Sequence, residues 1–400
     1  MTQLPRRSRL LVVASTFPAG PADGTPAFVR DLAVAEATDF DTVVLVPRSS
    51  GGSRRESAGR MVVQRFRYFI RPWEDLADGA IIENLRSRPS RLLQVVPFLV
   101  AEAWALRTAV RRHRPDVLHL YWIVPQGVAA LISARRVPWL VTTLGGDVYA
   151  LRDPVSRWLQ RRVLRRAAAV TTMNADMRDR VIALGADPDR THVLPMGADV
   201  DTVRQVGAGV PSEPGRLLFA GRLVEKKGAA VLLDAVRLLA DRPGWSLVVV
   251  GDGPLRGVLQ AQAGDLAVTF RGTLSRAELA AEYARAEILV VPSVTAASGD
   301  QDGLPVVLLE GMAAGCAIVA SRLPGLDIAV RDGNAGVLVP PGDAAALAAE
   351  LRRLLDDPDR RERLGAAARA RADQFSVAAA GVRYRALLHT LAGLARPAAE

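Results

Sequence analysis

The 400-residue chain has one cysteine, Cys316, which excludes an internal disulfide. So little thiol suits a reducing compartment, and the setting Ala313-Ala-Gly-Cys-Ala-Ile-Val319 predicts a small core residue rather than a nucleophile. No uninterrupted apolar run reaches the ~20 residues a membrane span requires. Basic residues precede Leu10-Leu-Val-Val-Ala14, but that run is too short for a secretory signal and has no cleavage site. A buried first strand is expected instead. Aromatic residues make up only 5% of the chain. No basic run is interleaved with stacking aromatics and no nucleic-acid motif is present, so nucleic acid is not expected as a partner. The net charge of +10 then points to other acidic partners: sugar-nucleotide phosphates or anionic lipid.

Lysine is scarcest of all. Lys226 and Lys227, side by side, are the only two in a Lys+Arg total of 52. Arginine usage on that scale reflects codon bias. Two lysines that escape it mark a place where a compact ammonium is wanted, since a guanidinium fork is no substitute.

What is abundant is apolar residues, at 50% of the chain, and the length suits two domains. Short Val/Leu/Ile runs alternate throughout with longer Ala/Leu/Arg segments of helical period. The expected strands are 9–14, 42–47, 61–66, 116–120, 138–142, 168–172 and 191–194, then 216–220, 246–250, 267–270, 287–291, 316–320 and 336–339. Continuous apolar strands separated by helices predict doubly wound α/β halves built on parallel sheets. Gly207-Ala-Gly-Val-Pro-Ser-Glu-Pro-Gly215 lacks periodicity and reads as a linker. The expected organisation is a first domain over 1–206, the linker over 207–215 and a second domain over 216–375. A final segment, 376–400, is expected to form a helix that returns to the first domain. Two such domains facing one another make a cleft, and ligands of open α/β sheets bind at the carboxyl ends of strands.

The motifs at those ends carry the chemistry. After the strand ending at Ala220, Gly221 permits close backbone approach, and Arg222 and Lys227 add two charges beside a helix N-terminus. That combination suits a diphosphate; Lys226 is expected to face solvent. Gly299-Asp-Gln-Asp-Gly-Leu-Pro305 runs into a second helix, with Pro305 at its first position. The N–H groups after Gly303 form a second anion cradle around Leu304 and Pro305. Glu310 lies roughly 7–8 Å farther along the axis, the distance from a phosphate to a ribose. Gly251 and Gly253, after Leu247-Val-Val-Val250, form a turn fit for ligand approach. In the first domain, Gly24-Thr25-Pro26 reads as a helix entry capped by Thr25. Asp147, in Leu144-Gly-Gly-Asp147, is either a sugar contact or a capping residue. His119, with Tyr121 and Trp122, either lines an acceptor pocket or packs in the core. Asp-x-Asp pairs at 39/41, 187/189, 199/201, 300/302 and 357/359 are of a kind that holds metals. With Arg222 and Lys227 supplying positive charge, no metal is expected.

Taken together, Phe219-Ala-Gly-Arg-Leu-Val-Glu-Lys-Lys-Gly228, Val248-Val-Val-Gly-Asp-Gly-Pro254, Phe270-Arg-Gly272 and Asp302-Gly-Leu-Pro-Val-Val-Leu-Leu-Glu310 resemble glycosyltransferase family 4, retaining enzymes of the GT-B fold. The resemblance covers nearly the whole chain. It implies a nucleotide-diphosphate-sugar donor in the second domain, bound by Gly24, Gly221, Gly251, Gly253, Arg271, Gly303, Leu304, Pro305 and Glu310. Arg222, Lys227, Asp302 and Asp147 are the catalytic set it implies, with the donor as substrate and no cofactor. The acceptor, a glycan or a lipid-linked or small molecule, would bind the first domain. Two positions depart from the family pattern. Asp302 stands where a glutamate is usual, and Leu144 stands where the first-domain motif usually has histidine.

Residues 54–115 combine many arginines with Phe66, Tyr68, Phe69, Trp73 and Trp104. Such a surface either rests on anionic lipid or is a helix packed on the sheet with solvated arginines. The expected location is cytoplasmic, with a peripheral position at the inner face of the membrane under the first reading. Three other activities compete: an epimerase on nucleotide sugars, a phosphorylase carrying pyridoxal phosphate on Lys226 or Lys227, and a nucleotide-sugar-binding subunit without catalysis.

Overall fold

A computed structural model describes residues 7–394, apart from 21, 22, 24, 50, 79, 80, 82, 83, 86 and 87. The first sheet is built from β1 (Arg9–Val13), β2 (Asp41–Pro47), β3 (Arg55–Ala58), β4 (Met61–Phe66), β5 (Val117–Tyr121), β6 (Trp139–Thr142), β7 (Ala169–Thr172) and β8 (Thr191–Val193). Its order is β3-β4-β2-β1-β5-β6-β7-β8. Every pairing is parallel except β3 with β4. The apolar runs of β1, β5, β6 and β7 are buried on both faces, as parallel strands under helices must be. The strand β3 was not among those expected. It is an edge strand of Arg-Glu-Ser-Ala, mostly exposed, and carries no apolar period to read.

The second sheet contains β9 (Arg216–Ala220), β10 (Ser246–Val250), β11 (Val268–Gly272), β12 (Ile288–Val291), β13 (Ala317–Ser321) and β14 (Val337–Val339). All its pairings are parallel, in the order β11-β10-β9-β12-β13-β14. Alternate residues feed two cores. Leu218, Ala220, Val248 and Val250 enter one; Leu217, Phe219, Leu247 and Val249 enter the other. The strand order reverses between β9 and β12, so the loops that leave these two strands diverge and open a crevice. Cys316 is buried in the first of these cores, and burial pushes its thiol up to about 12. It is a packing residue, as its small apolar neighbours predict.

The chain divides into two compact units, 1–173 with 177–196 and 380–400, and 174–176 with 197–379. The division at Met196/Gly197 precedes the expected linker. Residues 207–215 lie inside the second unit, between the helix Val200–Gly207 and β9. Gly and Pro there punctuate a surface loop rather than a domain boundary. The helix Val377–Leu394 begins in the second unit, and from Ala380 onward it belongs to the first. There Tyr384 is buried and donates its hydroxyl to the Leu194 carbonyl at 2.8 Å. The first helix, Phe28–Glu36, has Ala27 at its N-cap with no side-chain cap. Thr25 does not cap it but donates to Asp23 Oδ1 at 2.9 Å.

Candidate functional site

The loops after β9 and β12 meet at the switch point of the second sheet. Backbone and side-chain bonds stitch them together. Val294 N–H donates to the Lys226 carbonyl at 2.9 Å, and Ala297 N–H donates to Glu225 Oε1 at 2.8 Å. Gly228 turns the first loop into the helix Ala229–Arg237 with a left-handed φ of +68°. A Cβ there would stand 1.8 Å from the Pro292 carbonyl oxygen. Only glycine allows the two loops this approach.

Across that junction lie two ion pairs. Lys227 Nζ donates to both oxygens of Asp302, at 2.9 and 2.8 Å, and Ser293 Oγ donates to Asp302 Oδ2 at 2.9 Å. Lys226 Nζ donates to Asp300 Oδ2 at 3.0 Å. Both aspartates are buried. The expectation that Lys226 faces solvent is therefore corrected: its side chain is only 18% exposed and pins the 294–302 loop. Burial alone would raise the Asp302 carboxyl. The charges of Lys227 and Lys226, with the bonds from Lys227 and Ser293, outweigh it and hold the group below the usual carboxylate range.

The neighbouring motifs divide into those that build the crevice and those with side chains directed elsewhere. Gly251 and Gly253 accommodate the β9 loop: a Cβ on Gly251 would lie 1.9 Å from Gly221 O, and one on Gly253 would lie 2.5 Å from Leu223 O. Leu223 N–H donates to Asp252 O and Leu255 N–H to Leu223 O, at 2.9 and 3.1 Å. Their smallness serves loop-on-loop packing beside the crevice. Arg222 and Gly221 follow β9 directly. The helix Val306–Ala314 starts one residue later than expected, with Pro305 at the N-cap and no side-chain cap. Gly303 and Leu304 precede it, and the Gly303 carbonyl accepts from Asn174 Nδ2 at 2.9 Å. Glu310, on this helix, accepts from Tyr283 Oη at 2.9 Å, which orients its carboxylate. Arg271 is exposed and held at Glu282 Oε1, 3.4 Å away, in a cluster with Arg216 and Arg285. Ser293, Asp300, Tyr283 and Asn174 escaped the sequence reading. Only Asp300 carried a signal, in the Asp-x-Asp spacing.

In the first unit Asp147 is buried, and its carboxylate is satisfied by backbone. Oδ2 accepts from Ile123 N–H at 3.0 Å, and Oδ1 accepts from Leu144 and Gly145 N–H at 3.1 and 3.2 Å. Burial pushes the group above its ordinary value, against the opposing pull of those three donors. Asp147 ties the loop after β5 to the loop after β6, and the capping reading replaces the sugar contact. Asp147→Ala strands three donors, so it should lower unfolding stability by about 3 kcal/mol and leave nucleotide affinity unchanged. Chemical denaturation checks the first, and titration checks the second. Unchanged stability with lost transfer would restore a catalytic role.

His119 is also core: Nδ1 meets Glu36 Oε1 and Nε2 meets Thr142 Oγ1, each at 2.7 Å, and the ring stacks on Tyr121 and Tyr384. It lines no pocket for an acceptor. Gly24 lies outside the described residues. A cavity of about 400 Å³ lined by Arg9, Asp41, Arg60 and His113 opens where β1 and β2 begin, at the end of the sheet opposite the carboxyl ends of its parallel strands. Among the described residues no group of three or more His, Cys, Asp or Glu is gathered as metal donors. Asp187, Asp199 and Asp357 instead cap helices.

Two α/β units, each built on a largely parallel sheet, are the architecture of the GT-B fold. The chain belongs to the family 4, or group 1, glycosyltransferases. Residues 23–197 match the family model described as glycosyl transferase 4-like domain, and residues 214–357 match glycosyl transferases group 1. It is 31% identical over 391 residues to D-inositol 3-phosphate glycosyltransferase of Arthrobacter sp., covering 89% of this chain and 87% of that one. Amylovoran biosynthesis glycosyltransferase AmsK of Erwinia amylovora is 35% identical over 180 residues, a match spanning only 44% of each chain. Among solved structures, sucrose-phosphate synthase of Thermosynechococcus elongatus superposes with a TM-score of 0.79 at 22% identity, covering 97% of this chain and 100% of that one. HepE of Anabaena, in complex with UDP and glucose, superposes with a TM-score of 0.69 at 19% identity, covering 96% and 100%.

Proposed function

We propose that the protein moves a sugar from a nucleotide-diphosphate sugar to a hydroxyl of a glycan, lipid-linked or small-molecule acceptor, with retention at the anomeric carbon. The reading belongs with cell-envelope glycan or glycolipid synthesis in the cytoplasm. The observation that carries it is the Lys227–Asp302 pair at the β9/β12 switch point, beside Arg222 and the uncapped helix Val306–Ala314. The UDP held by HepE supports the choice of donor class.

In this mechanism the bond from the anomeric carbon to the diphosphate oxygen breaks while a bond to the acceptor oxygen forms on the same face. The acceptor proton passes to the departing phosphate. The leaving group gains negative charge, which Arg222 and Lys227 stabilise without reorganising. Asp302 orients Lys227 and reaches donor hydroxyls. Glu310, set by Tyr283, accepts from the ribose, and the Gly303–Pro305 turn meets phosphate and sugar. Gly221, Gly251 and Gly253 shape the crevice. No metal or cofactor takes part.

The test is a transfer assay over a panel of nucleotide sugars with acceptor sugars, read by the anomeric configuration of the product. Retention, unaltered by a chelator, is expected. Inversion, or dependence on a divalent ion, overturns the mechanism. A second reading is a donor-binding subunit without transfer, favoured by Leu144 in place of histidine. Donor binding with no product from any acceptor would select it.

A further inference from the structure

Large exposed apolar side chains are not scattered evenly over this protein. Leu93, Val96, Val100 and Trp104, all on the helix Leu92–His113, are between 64% and 74% exposed. At 3.6 residues per turn these four positions form one stripe, which Arg107 and Arg111 continue toward the C-terminus, both exposed. The opposite face carries the buried Phe98, Glu102 and Leu106. Near the start of the helix, the segment before Asp75 adds Ile70 and Trp73, 66% and 65% exposed, with Arg67 and Arg71 between and beside them. Asp75 N–H donates to Gln94 Oε1 at 3.4 Å and Arg91 pairs with Asp75 at 2.7 Å, so this segment is tied to the same helix.

We infer that this face docks on an anionic lipid bilayer, with the helix lying in the plane of the interface. An apolar stripe flanked by arginines is the pattern of an in-plane helix. Tryptophans at two places on the face suit the headgroup level, where an amphipathic ring is stable. By length and composition Pro89–His113 is apolar enough to cross a bilayer. Crossing would tear Phe98 and Leu106 from the core and carry Gln94 and Glu102 into hydrocarbon, which rules for the in-plane arrangement. The occupant is set by charge. Exposed arginines border the stripe, and of the described acidic groups on these segments Glu74 and Glu102 are turned inward while the part-exposed Asp75 is paired with Arg91. Such a rim attracts acidic headgroups and does not attract a second copy of itself.

The experiment is flotation of the full chain with phosphatidylcholine vesicles, alone and with phosphatidylglycerol. Retention is expected on the acidic vesicles and should fall with added salt. The triple variant Leu93→Glu, Val100→Glu, Trp104→Glu should lose retention by about tenfold or more. Arg107→Glu with Arg111→Glu should erase the preference for acidic vesicles. All these positions are exposed, and an unchanged thermal shift with nucleoside diphosphate verifies folding apart from docking. No retention of the wild type, or retention equal in the triple variant, overturns the inference. So does a wild-type dimer that the triple variant abolishes, which would assign the face to a second copy.

Discussion

Lys227→Ala should lower kcat by about 10²- to 10³-fold, the loss that follows removal of one preorganised donor at a site of developing charge. The variant also strands the buried Asp302 carboxylate, whose nearest counter-charge is Lys227. Its unliganded form should therefore be less stable by about 1–3 kcal/mol. The two effects separate by pH and by a second substitution. The folded Asp302 carboxyl sits below its ordinary value, so the pair's stabilisation is full above that value and is lost as pH falls toward the folded one. Wild type and variant should therefore converge in stability at acidic pH. Asp302→Asn added to Lys227→Ala should restore part of the stability and none of the activity. Lys226→Ala should have an intermediate effect, because the loop that its bond to Asp300 pins also carries Asp302. Steady-state kinetics on the three variants, with melting curves across pH, check this. An active Lys227→Ala enzyme would remove the diphosphate role.

Gly228→Ala should be more damaging still, and through the backbone. The left-handed φ costs an alanine about 1–2 kcal/mol, and its Cβ would overlap the Pro292 carbonyl at 1.8 Å. A backbone oxygen cannot rotate away like a side chain, so the β9 and β12 loops must part. A loss of at least about 4 kcal/mol is expected, with nucleotide binding abolished. Gly257→Ala is the control. It lies in the helix Arg256–Ala263 with nothing within 4 Å of a new Cβ, and it should be neutral or slightly stabilising. Urea unfolding of both variants decides the matter. Equal stabilities would mean that the loops are not held at this glycine.

These two predictions differ in how far the sequence reveals them. The strands were legible because their apolar runs are continuous. The arginine-bearing edge strand β3 was not, because it has none. Lys227, Asp302 and Glu310 stand out in sequence by their spacing to strand ends and their likeness to a family. That Lys227 holds Asp302 does not, since the pair spans 75 residues and exists only because β12 pairs with β9. The same limit misled the reading of Lys226, which has a partner in Asp300 that local sequence cannot show. Gly251 and Gly253 stand out in the sequence, but that their smallness admits the β9 loop does not. Asp147 illustrates the converse. A carboxylate after Gly-Gly at a strand end serves a ligand or a turn equally well in sequence, and its three backbone donors decide for the turn.

The proposed binding of a nucleoside diphosphate at the β9/β12 switch point is tested most directly by a thermal-shift panel of nucleoside diphosphates and their sugars on the wild type and on Lys227→Ala. At least one ligand should raise the melting temperature of the wild type, and the shift should vanish in Lys227→Ala. A wild type stabilised by none of them, or a shift that survives loss of Lys227, would contradict it.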